Sequence, residues 1–315
     1  MTRHSGFRPK RMLLAGRDAR RLAAELAVAL PALETRTVQH GPLSAEEAAW
    51  ADSFAGFSAP PNLGDSGIRW IHLLTAGVDR VVAGLAGRDV VLTRTLGGMP
   101  RAIGSYVLAH LLADAWHLRE YAAQQLSAHW EPLESVRVAG RTAVVLGTGE
   151  IASGVAQALR PAGYRVIGVN TRGNPAAAFD DTVALPDAAP HLASCSALVN
   201  ALPLTNATRD LVDETLLGEL AGAVVVNVGR GATMVPDHLR AALDAGHVRR
   251  AVLDVHEIEP LPPEDWRWSH PHVTVTPHVS GRTAPEEVVA AIAAGYEALI
   301  AGRRPPHDVD IARGY

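Results

Sequence analysis

Apolar positions along this chain follow two alternating rhythms. Short, often β-branched apolar runs are followed by longer stretches in which apolar residues recur every three or four positions. The first rhythm predicts buried strands and the second amphipathic helices, and their alternation predicts an α/β protein with parallel sheets. In the first hundred residues, strands are predicted at RMLLAG, ETRTVQ, DSFAGF, IRWIHLL and DVVLTR, with helices at DARRLAAELAVAL and SAEEAAWA. A second series has strands at TAVVLG, YRVIGVN, ALVNAL, AVVVNV, RRAVLDV and VTVTP. Between the two, residues 102–126 keep the helical rhythm with no Gly or Pro after Gly104, which predicts one long helix able to connect two lobes. Gly246 in LDAGHV suits a left-handed helix cap. APEEVVAAIAAGYEALIAG begins with Pro and two acids, as a final helix should, and the Pro-interrupted tail RRPPHDVDIARGY is expected to be extended.

A chain of 315 residues is long enough for two domains, each with its own core. Apolar residues make up 48% and charged residues 20%, a globular balance that excludes fibrous and disordered classes. The net charge of -4 offers no positive field for nucleic acid or an anionic membrane. No apolar run is long enough to cross a bilayer, and only MLLAG follows the basic start MTRHSGFRPKR, too short for a signal-peptide core. A cytoplasmic protein is therefore expected. The single cysteine, Cys195, cannot close an internal disulfide and reads as a small buried core residue in SCSALVNAL.

VVLGTGEIASGVAQAL sets Gly147-Thr148-Gly149 between a strand and a helix, the context a dinucleotide fingerprint requires. The first glycine permits a tight turn, the second lets backbone approach a pyrophosphate, and Ala152 is small enough for helix–strand packing. The helix start then offers free N–H groups and a positive dipole end. The second strand ends at Asn170, where an NAD-binding protein carries an acid for the ribose 2′-hydroxyl. NTRG has no acid, and Arg172 is placed either to clamp a 2′-phosphate or as a solvated loop residue. A preference for NADPH is expected.

VVVNVGRGATMV raises a separate question, because Arg230 stands between Gly229 and Gly231 at the end of a buried strand, where desolvating a charge is costly. Either it is tied in an ion pair or something anionic meets it. The next two predicted strands end with Asp254, followed by Glu259, and with Pro277-His278. Catalytic groups gather at such carboxyl ends. Beside a nicotinamide, Arg230 would grip a 2-oxo acid carboxylate in a fork, and His278 would give a proton to the carbonyl oxygen as hydride arrives. Glu259 would hold the imidazole and favour its charged form. His256, His270 and His272 show no ligand spacing with a supporting acid, so no metal is expected.

LGTGEIASGVAQAL, LPLTNATRDLVDE, VVVNVGRGATMV, LDVHEIEPLPPED and HPHVTVTPHVSG occur in that order between about residue 140 and 282. Together they resemble the D-isomer-specific 2-hydroxyacid dehydrogenase family, and a looser likeness extends over nearly the whole chain. The resemblance implies two Rossmann-like domains, each a doubly wound parallel sheet, with the active site in the cleft between them. The substrate domain would be 1–101 plus 283–315, and the NAD(P)-binding domain 102–282. It implies Arg230, Glu259 and His278 as the catalytic three, with substrate also held by the amides of Ala76 and Gly77. Trp266 and Trp268 either wall the pocket, with Trp268 against substrate, or pack under the Pro-rich loop. For the cofactor it implies Gly147, Gly149, Glu150 and Ile151, then Asn170, Thr171 and Arg172, then Leu202, Pro203 and Thr208. Val228, Gly229, Asp254, His278, Ser280 and Gly281 complete that set, Asp254 near the nicotinamide amide. A homodimer with the long helix in its interface is also implied.

NTRG and EPLPPEDWRWSHP are most similar to the glyoxylate/hydroxypyruvate reductase branch, giving a reductase of small 2-oxo acids with NADP(H) preferred and NAD(H) possible. Gly104-Ser105 and the RTLGG loop depart from the family pattern. The alternative reading is a catalytically weak, dinucleotide-sensing scaffold of the corepressor kind, against which the intact Arg230, Glu259 and His278 count. Formate dehydrogenases of this fold carry Gln where Glu259 stands and favour NAD, which argues against that reading.

Overall fold

The apolar runs become strands and the longer-period stretches become helices in the structure, a computed structural model that describes residues 7–315. The basic start, read as preceding no signal-peptide core, lies in part outside the described residues. The first series is β1 (Arg11–Ala15), α1 (Ala19–Ala29), β2 (Glu34–Val38), α2 (Ala45–Trp50), β3 (Ser53–Gly56), β4 (Trp70–Leu73), α3 (Asp79–Val82) and β5 (Val91–Arg94). After α4 (Met99–Ala115) and α5 (Leu118–Leu126) come β6 (Thr142–Leu146), α6 (Glu150–Leu159), β7 (Arg165–Asn170) and β8 (Asp181–Ala184). Then follow α7 (Ala189–Ser194), β9 (Ala197–Asn200), α8 (Glu214–Gly218), β10 (Ala223–Asn227), α9 (Pro236–Asp244), β11 (Val248–Leu253), β12 (Val273–Val275) and α10 (Pro285–Ile300).

The chain divides into two compact units, one made of residues up to Gly98 with Thr283–Tyr315, the other of Met99–Arg282. In the first, five parallel strands take the order β2-β1-β3-β4-β5, a doubly wound arrangement. Both faces are covered, which is why β1 reads as an unbroken apolar run. Met12 and Leu14 pack with Leu22 and Leu26 of α1 and with Ile292 and Leu299 of α10, whereas Leu13 and Ala15 face Phe54, Ile71 and Leu92. The RTLGG loop is fixed locally: the Gly98 N–H donates to Glu287 Oε1 at 2.7 Å, while the Ala284 N–H donates to Oε2. The tail is not simply extended. Val309 donates to the Leu92 carbonyl, Asp308 bridges Thr93 in antiparallel fashion, and the chain then turns at Asp310–Gly314.

In the second unit seven parallel strands run β12-β11-β10-β9-β6-β7-β8, so the order reverses between β6 and β9. Loops at the carboxyl ends of those two strands part there and leave a crevice for a ligand. The core of one face joins Val144, Ile167, Leu198, Val225 and Ala251 to helix residues such as Leu192, Leu217 and Leu239. The short polar edge strand β8, DTVA, carries too few apolar positions to announce itself in sequence. Gly104 proves to be a crossing point. A Cβ on it would lie 2.4 Å from the Gly154 carbonyl oxygen, and one on Gly154 would lie 2.2 Å from that of Pro100. The missing side chains let α4 and α6 touch backbone to backbone, which accounts for Gly104.

The single long helix expected over 102–126 is corrected: it breaks at His117, whose φ is 54°. No Gly or Pro marks the break, because its cause is tertiary. The Val136 N–H donates to the Ala115 carbonyl, a group the broken ladder releases, and His117 Nε2 bonds the Glu134 carbonyl. On either side, Asp114 and Glu120 hold Arg250 on β11, and Asp114 also holds Arg249. These contacts offset the roughly 1–2 kcal/mol that a left-handed residue costs.

A buried polar cluster lies inside the first unit. His72 is almost inaccessible, its Nδ1 2.8 Å from Thr93 Oγ1 and its Nε2 2.8 Å from Thr95 Oγ1, while Trp70 Nε1 donates to Thr93 Oγ1. Burial, aided by His307, pushes the imidazole down to about 3 from its ordinary 6.5. The folded chain therefore keeps this ring neutral where an unfolded chain would protonate it. The stability it contributes is complete above pH 6.5 and drains away as pH falls toward 3, by at most about 1.4 kcal/mol per pH unit. Urea unfolding of the wild type should lose stability more steeply between pH 6 and 4 than His72→Gln does. Parallel profiles for the two proteins would refute this role.

Candidate active site

The turn after β6 is shaped by its two glycines. Gly147 has φ 98° and donates to the Val169 carbonyl, while a Cβ on it would sit 3.4 Å from the Ala201 carbonyl oxygen. Gly149 caps α6 from an extended conformation, and a Cβ there would meet nothing within 4 Å. The space in front of Gly149 is thus open, and the first-turn N–H groups of α6 point toward it, as at any helix start. A pyrophosphate fits this cradle in charge and shape. Ala152 itself is buried against the sheet. Asn170 ties the end of β7 to the same turn, with Nδ2 donating to Thr148 Oγ1 at 3.1 Å and to the Asn174 carbonyl. Thr171 and Arg172 are exposed beyond it, and among the described residues no carboxylate pairs with Arg172. In the loop after β9, Leu202 donates to Asn200 Oδ1, and the Thr208 hydroxyl donates to the Pro203 carbonyl at 2.6 Å. The Thr208 hydroxyl therefore shapes its own loop.

Two buried asparagines fix the backbone at the end of β10. Asn227 Oδ1 accepts from the Gly229 N–H and its Nδ2 donates to the Arg230 carbonyl, while Asn200 Nδ2 donates to Thr233 Oγ1 at 2.7 Å. Thr233 in turn donates to the Arg230 carbonyl at 2.6 Å. Val228 is buried and donates to the Asn200 carbonyl. Both flanking glycines are forced by close approach. A Cβ on Gly229 would lie 2.5 Å from the Leu202 carbonyl oxygen, and one on Gly231 would lie 2.0 Å from the His256 carbonyl carbon. Arg230 is half-buried, and its Nη1 donates to the Gly229 carbonyl at 2.8 Å.

Asp254, fully buried just past β11, organises the next strand end. Its Oδ1 accepts from Thr276 Oγ1 at 2.5 Å and from the Val279 N–H at 2.9 Å; Oδ2 accepts from the Ser280 N–H at 2.9 Å. Burial works to raise the carboxyl, but these bonds and the Ser280 hydroxyl prevail and hold it below the ordinary carboxylate range. The backbone carbonyl of Asp254 also accepts from the His278 N–H. His278 takes a left-handed φ of 51° inside this clamp. Bonds to an ionised acceptor contribute about 1.5–3 kcal/mol each, more than the roughly 1–2 kcal/mol of backbone strain. Gly281 follows with room for no side chain, since a Cβ would meet Met99 of α4 at 2.6 Å.

The clamp presents His278 to Glu259, with Nδ1 2.9 Å from Oε2. The other carboxylate oxygen, Oε1, accepts from the His256 N–H at 3.0 Å. Burial works to raise Glu259, yet the bonds from His278 and His256 outweigh it and leave the carboxyl below its usual range. The neighbouring acids are occupied elsewhere, Glu257 and Asp265 pairing with the buried Arg267 at 3.0 and 2.8 Å. Burial and the Arg267 charge keep His256 below the histidine range, hence neutral. Strands β10, β11 and β12 are adjacent and parallel, so Arg230, Glu259 and His278 emerge on one edge, linked through the contact of Gly231 with His256.

Trp268 is half-exposed, donates to the Pro262 carbonyl, and lines a cavity of about 510 Å³ with His110, Arg119 and Arg250; that lining includes none of the three. Ala76 and Gly77 lie in the other unit, in the loop after β4, where Arg94 Nη1 donates to the Ala76 carbonyl at 3.1 Å. Residues that carry the architecture but went unread in sequence include Asn200, Thr276 and Tyr106, whose hydroxyl is 2.7 Å from Thr276 Oγ1. Asn200 and Asn227 did leave a signal, each as the polar break in an apolar run, ALVNAL and AVVVNV. Among the described residues no group of three or more His, Cys, Asp or Glu is placed to hold a metal ion, and no helix is long and apolar enough to cross a membrane.

Residues 108–280 match the family model for the NAD binding domain of D-isomer specific 2-hydroxyacid dehydrogenases. The chain belongs to that family. An uncharacterized protein in the mprR 3′ region of Streptomyces coelicolor is 42% identical over 257 residues, covering 80% of this chain and 91% of that protein. A D-isomer specific 2-hydroxyacid dehydrogenase from Xanthobacter autotrophicus Py2, solved with NADPH and MES, is 27% identical with a TM-score of 0.86 over 96% of this chain and 99% of that one. The NADPH-dependent glyoxylate/hydroxypyruvate reductase of Sinorhizobium meliloti, solved with NADP and sulfate, is 26% identical with a TM-score of 0.87 over 97% and 100%. In this 2-hydroxyacid dehydrogenase the fingerprint turn and the Glu259–His278 pair therefore lie on the carboxyl edge of the family's nucleotide-binding sheet.

Proposed function

We propose that this 2-hydroxyacid dehydrogenase reduces a small 2-oxo acid, of the glyoxylate or hydroxypyruvate type, to the D-2-hydroxy acid with NADPH as preferred donor, in the cytoplasm. The observation that carries the reading is the contact of His278 Nδ1 with Glu259 Oε2 at 2.9 Å. With Nδ1 committed, Nε2 is the nitrogen left to carry a proton to and from a carbonyl oxygen. Glu259 fixes the ring and supports its charge. Arg230 supplies a planar fork for the substrate carboxylate and draws density from the carbonyl, and the amides of Ala76 and Gly77 complete carboxylate binding. Bound NADPH supplies the hydride. Gly147, Gly149 and the start of α6 hold its pyrophosphate, and Arg172 meets the 2′-phosphate. The nucleotide-binding role falls to 102–282 and the substrate role to 1–101 with 283–315. The names of the Xanthobacter and Sinorhizobium proteins support the cofactor, and that of the latter supports the substrate class.

Loss of nicotinamide absorbance with a panel of 2-oxo acids tests the reaction, and tight NADPH binding without turnover would instead favour the scaffold reading. His278→Gln should lower kcat by about 100-fold or more while NADPH affinity stays within about threefold, because proton transfer alone is removed. Arg230→Lys should cost kcat/KM well over tenfold, as a point charge cannot reproduce the fork; a loss within about threefold, under about 1 kcal/mol, contradicts its role.

For the cofactor, kcat/KM with NADPH should exceed that with NADH by about tenfold or more, and Arg172→Ala should remove most of the difference. Equal efficiency of the two cofactors in the wild type would overturn the preference.

The partner we propose is a second copy of the chain. The arm from Trp116 to Trp130 has no buried side chain in α5 and leaves Leu126 91% and Trp130 96% exposed, a bare apolar surface that two-fold pairing would cover. Light scattering should give twice the chain mass, reduced to one chain mass by Leu126→Glu with Trp130→Glu. A monomeric wild type would refute it.

A further inference from the structure

Resting on that reading, we infer that Tyr106 of α4 is a positioning residue for His278, acting through Thr276 and Asp254. The three form a chain of hydrogen bonds whose direction is fixed by proton count. Thr276 has one hydroxyl proton, and Asp254, an ionised acceptor, takes it at 2.5 Å. Thr276 Oγ1 can then only accept from Tyr106, 2.7 Å away, so the phenol donates. Burial and the nearby Asp254 charge push the phenol up to about 12, so it keeps the proton it must give.

The phenol is itself held in place. Its ring packs at a tilt against His110 one turn along α4, with centroids 4.5 Å apart and planes at 58°, and the Gly104 and Gly154 crossing pins α4 to α6. At the other end, Thr276 is two residues from His278, and its carbonyl accepts from the His278 N–H at 3.1 Å. A helix packed in the core of the unit thus fixes the rotamer of Thr276, which fixes the backbone entering the left-handed turn at His278. Without the phenol, a partly buried Thr276 hydroxyl loses a donor, its grip on Asp254 competes with other rotamers, and the imidazole gains freedom against Glu259. Misplacement of a proton donor by well under an ångström is enough to slow catalysis. The phenol reaches His278 through Thr276 and Asp254, so its effect should fall on turnover and not on binding.

Tyr106→Phe, Thr276→Val, their double variant and the conservative Thr276→Ser would be compared with wild type in kcat, in KM for the 2-oxo acid and in NADPH affinity. The hydrogen-bonded Nδ1–H proton of His278 would be followed by NMR in the substrate-free protein. Tyr106→Phe should lower kcat about three- to tenfold with KM and NADPH affinity within about twofold, and should broaden or shift the His278 resonance. The double variant should be no slower than Thr276→Val, because the groups act in series, and Thr276→Ser should keep near wild-type kcat. An unchanged kcat and resonance in Tyr106→Phe, or additive losses in the double variant, would overturn the inference. If Thr276→Val fails to fold, Tyr106→Phe and Thr276→Ser still decide. If wild type reduces no 2-oxo acid, the proposed function fails while the resonance continues to report on Tyr106 alone.

Discussion

The Asp254 carboxylate is buried at the carboxyl end of β11, and an ionised group in that position must either find donors or give up its charge. It finds them in the next strand's exit: the Thr276 hydroxyl and the amides of Val279 and Ser280. Meeting that demand bends the backbone through a left-handed residue at His278. The histidine is thereby set by an interaction in which its own ring takes no part. Its imidazole remains at the surface of the unit, 48% exposed and bonded to Glu259.

The same device recurs along the sheet edge. Asn200 and Asn227 bond the loops after β9 and β10 from buried positions, and Asp254 bonds the loop after β12. Polar residues at buried strand ends are costly unless fully matched, and here each is matched by backbone of its own or a neighbouring loop. The glycines serve close approach: Gly229 admits the Leu202 backbone and Gly231 the His256 backbone. Loops fixed in this way carry Arg230, Glu259 and His278 on the edge that also carries the fingerprint turn.

Much of this was legible in the chain. Strands buried on both faces announce themselves as apolar runs, and the turn at Gly147 and Gly149 is marked by residues that backbone geometry requires. That three neighbouring strands end near Arg230, Glu259 and His278 could also be read, because strand ends are punctuated by Gly and Pro. Glu259 and His278 are in contact, and Trp268 lines a cavity with His110, Arg119 and Arg250. What could not be read depends on partners distant in sequence. His117 breaks a helix through contacts with residues 134 and 136, and nothing around it differs from a continuing helix. Glu257, Glu259 and Asp265 look alike in sequence, and only Arg267 separates them. Tyr106 and Thr276 lie 170 residues apart, and neither type is diagnostic of a site.

In the function we propose, strand-end loops fixed by buried hydrogen bonds aim one imidazole and one guanidinium at a single oxo-acid carbonyl. A crystal structure of the protein with NADPH and oxamate, an inert 2-oxo acid analogue, tests it directly. The account predicts His278 Nε2 within hydrogen-bond distance of the oxamate carbonyl oxygen, Nδ1 still on Glu259, and the Arg230 fork on the analogue. Oxamate bound with its carbonyl out of reach of His278, or with Arg230 turned away, would contradict it.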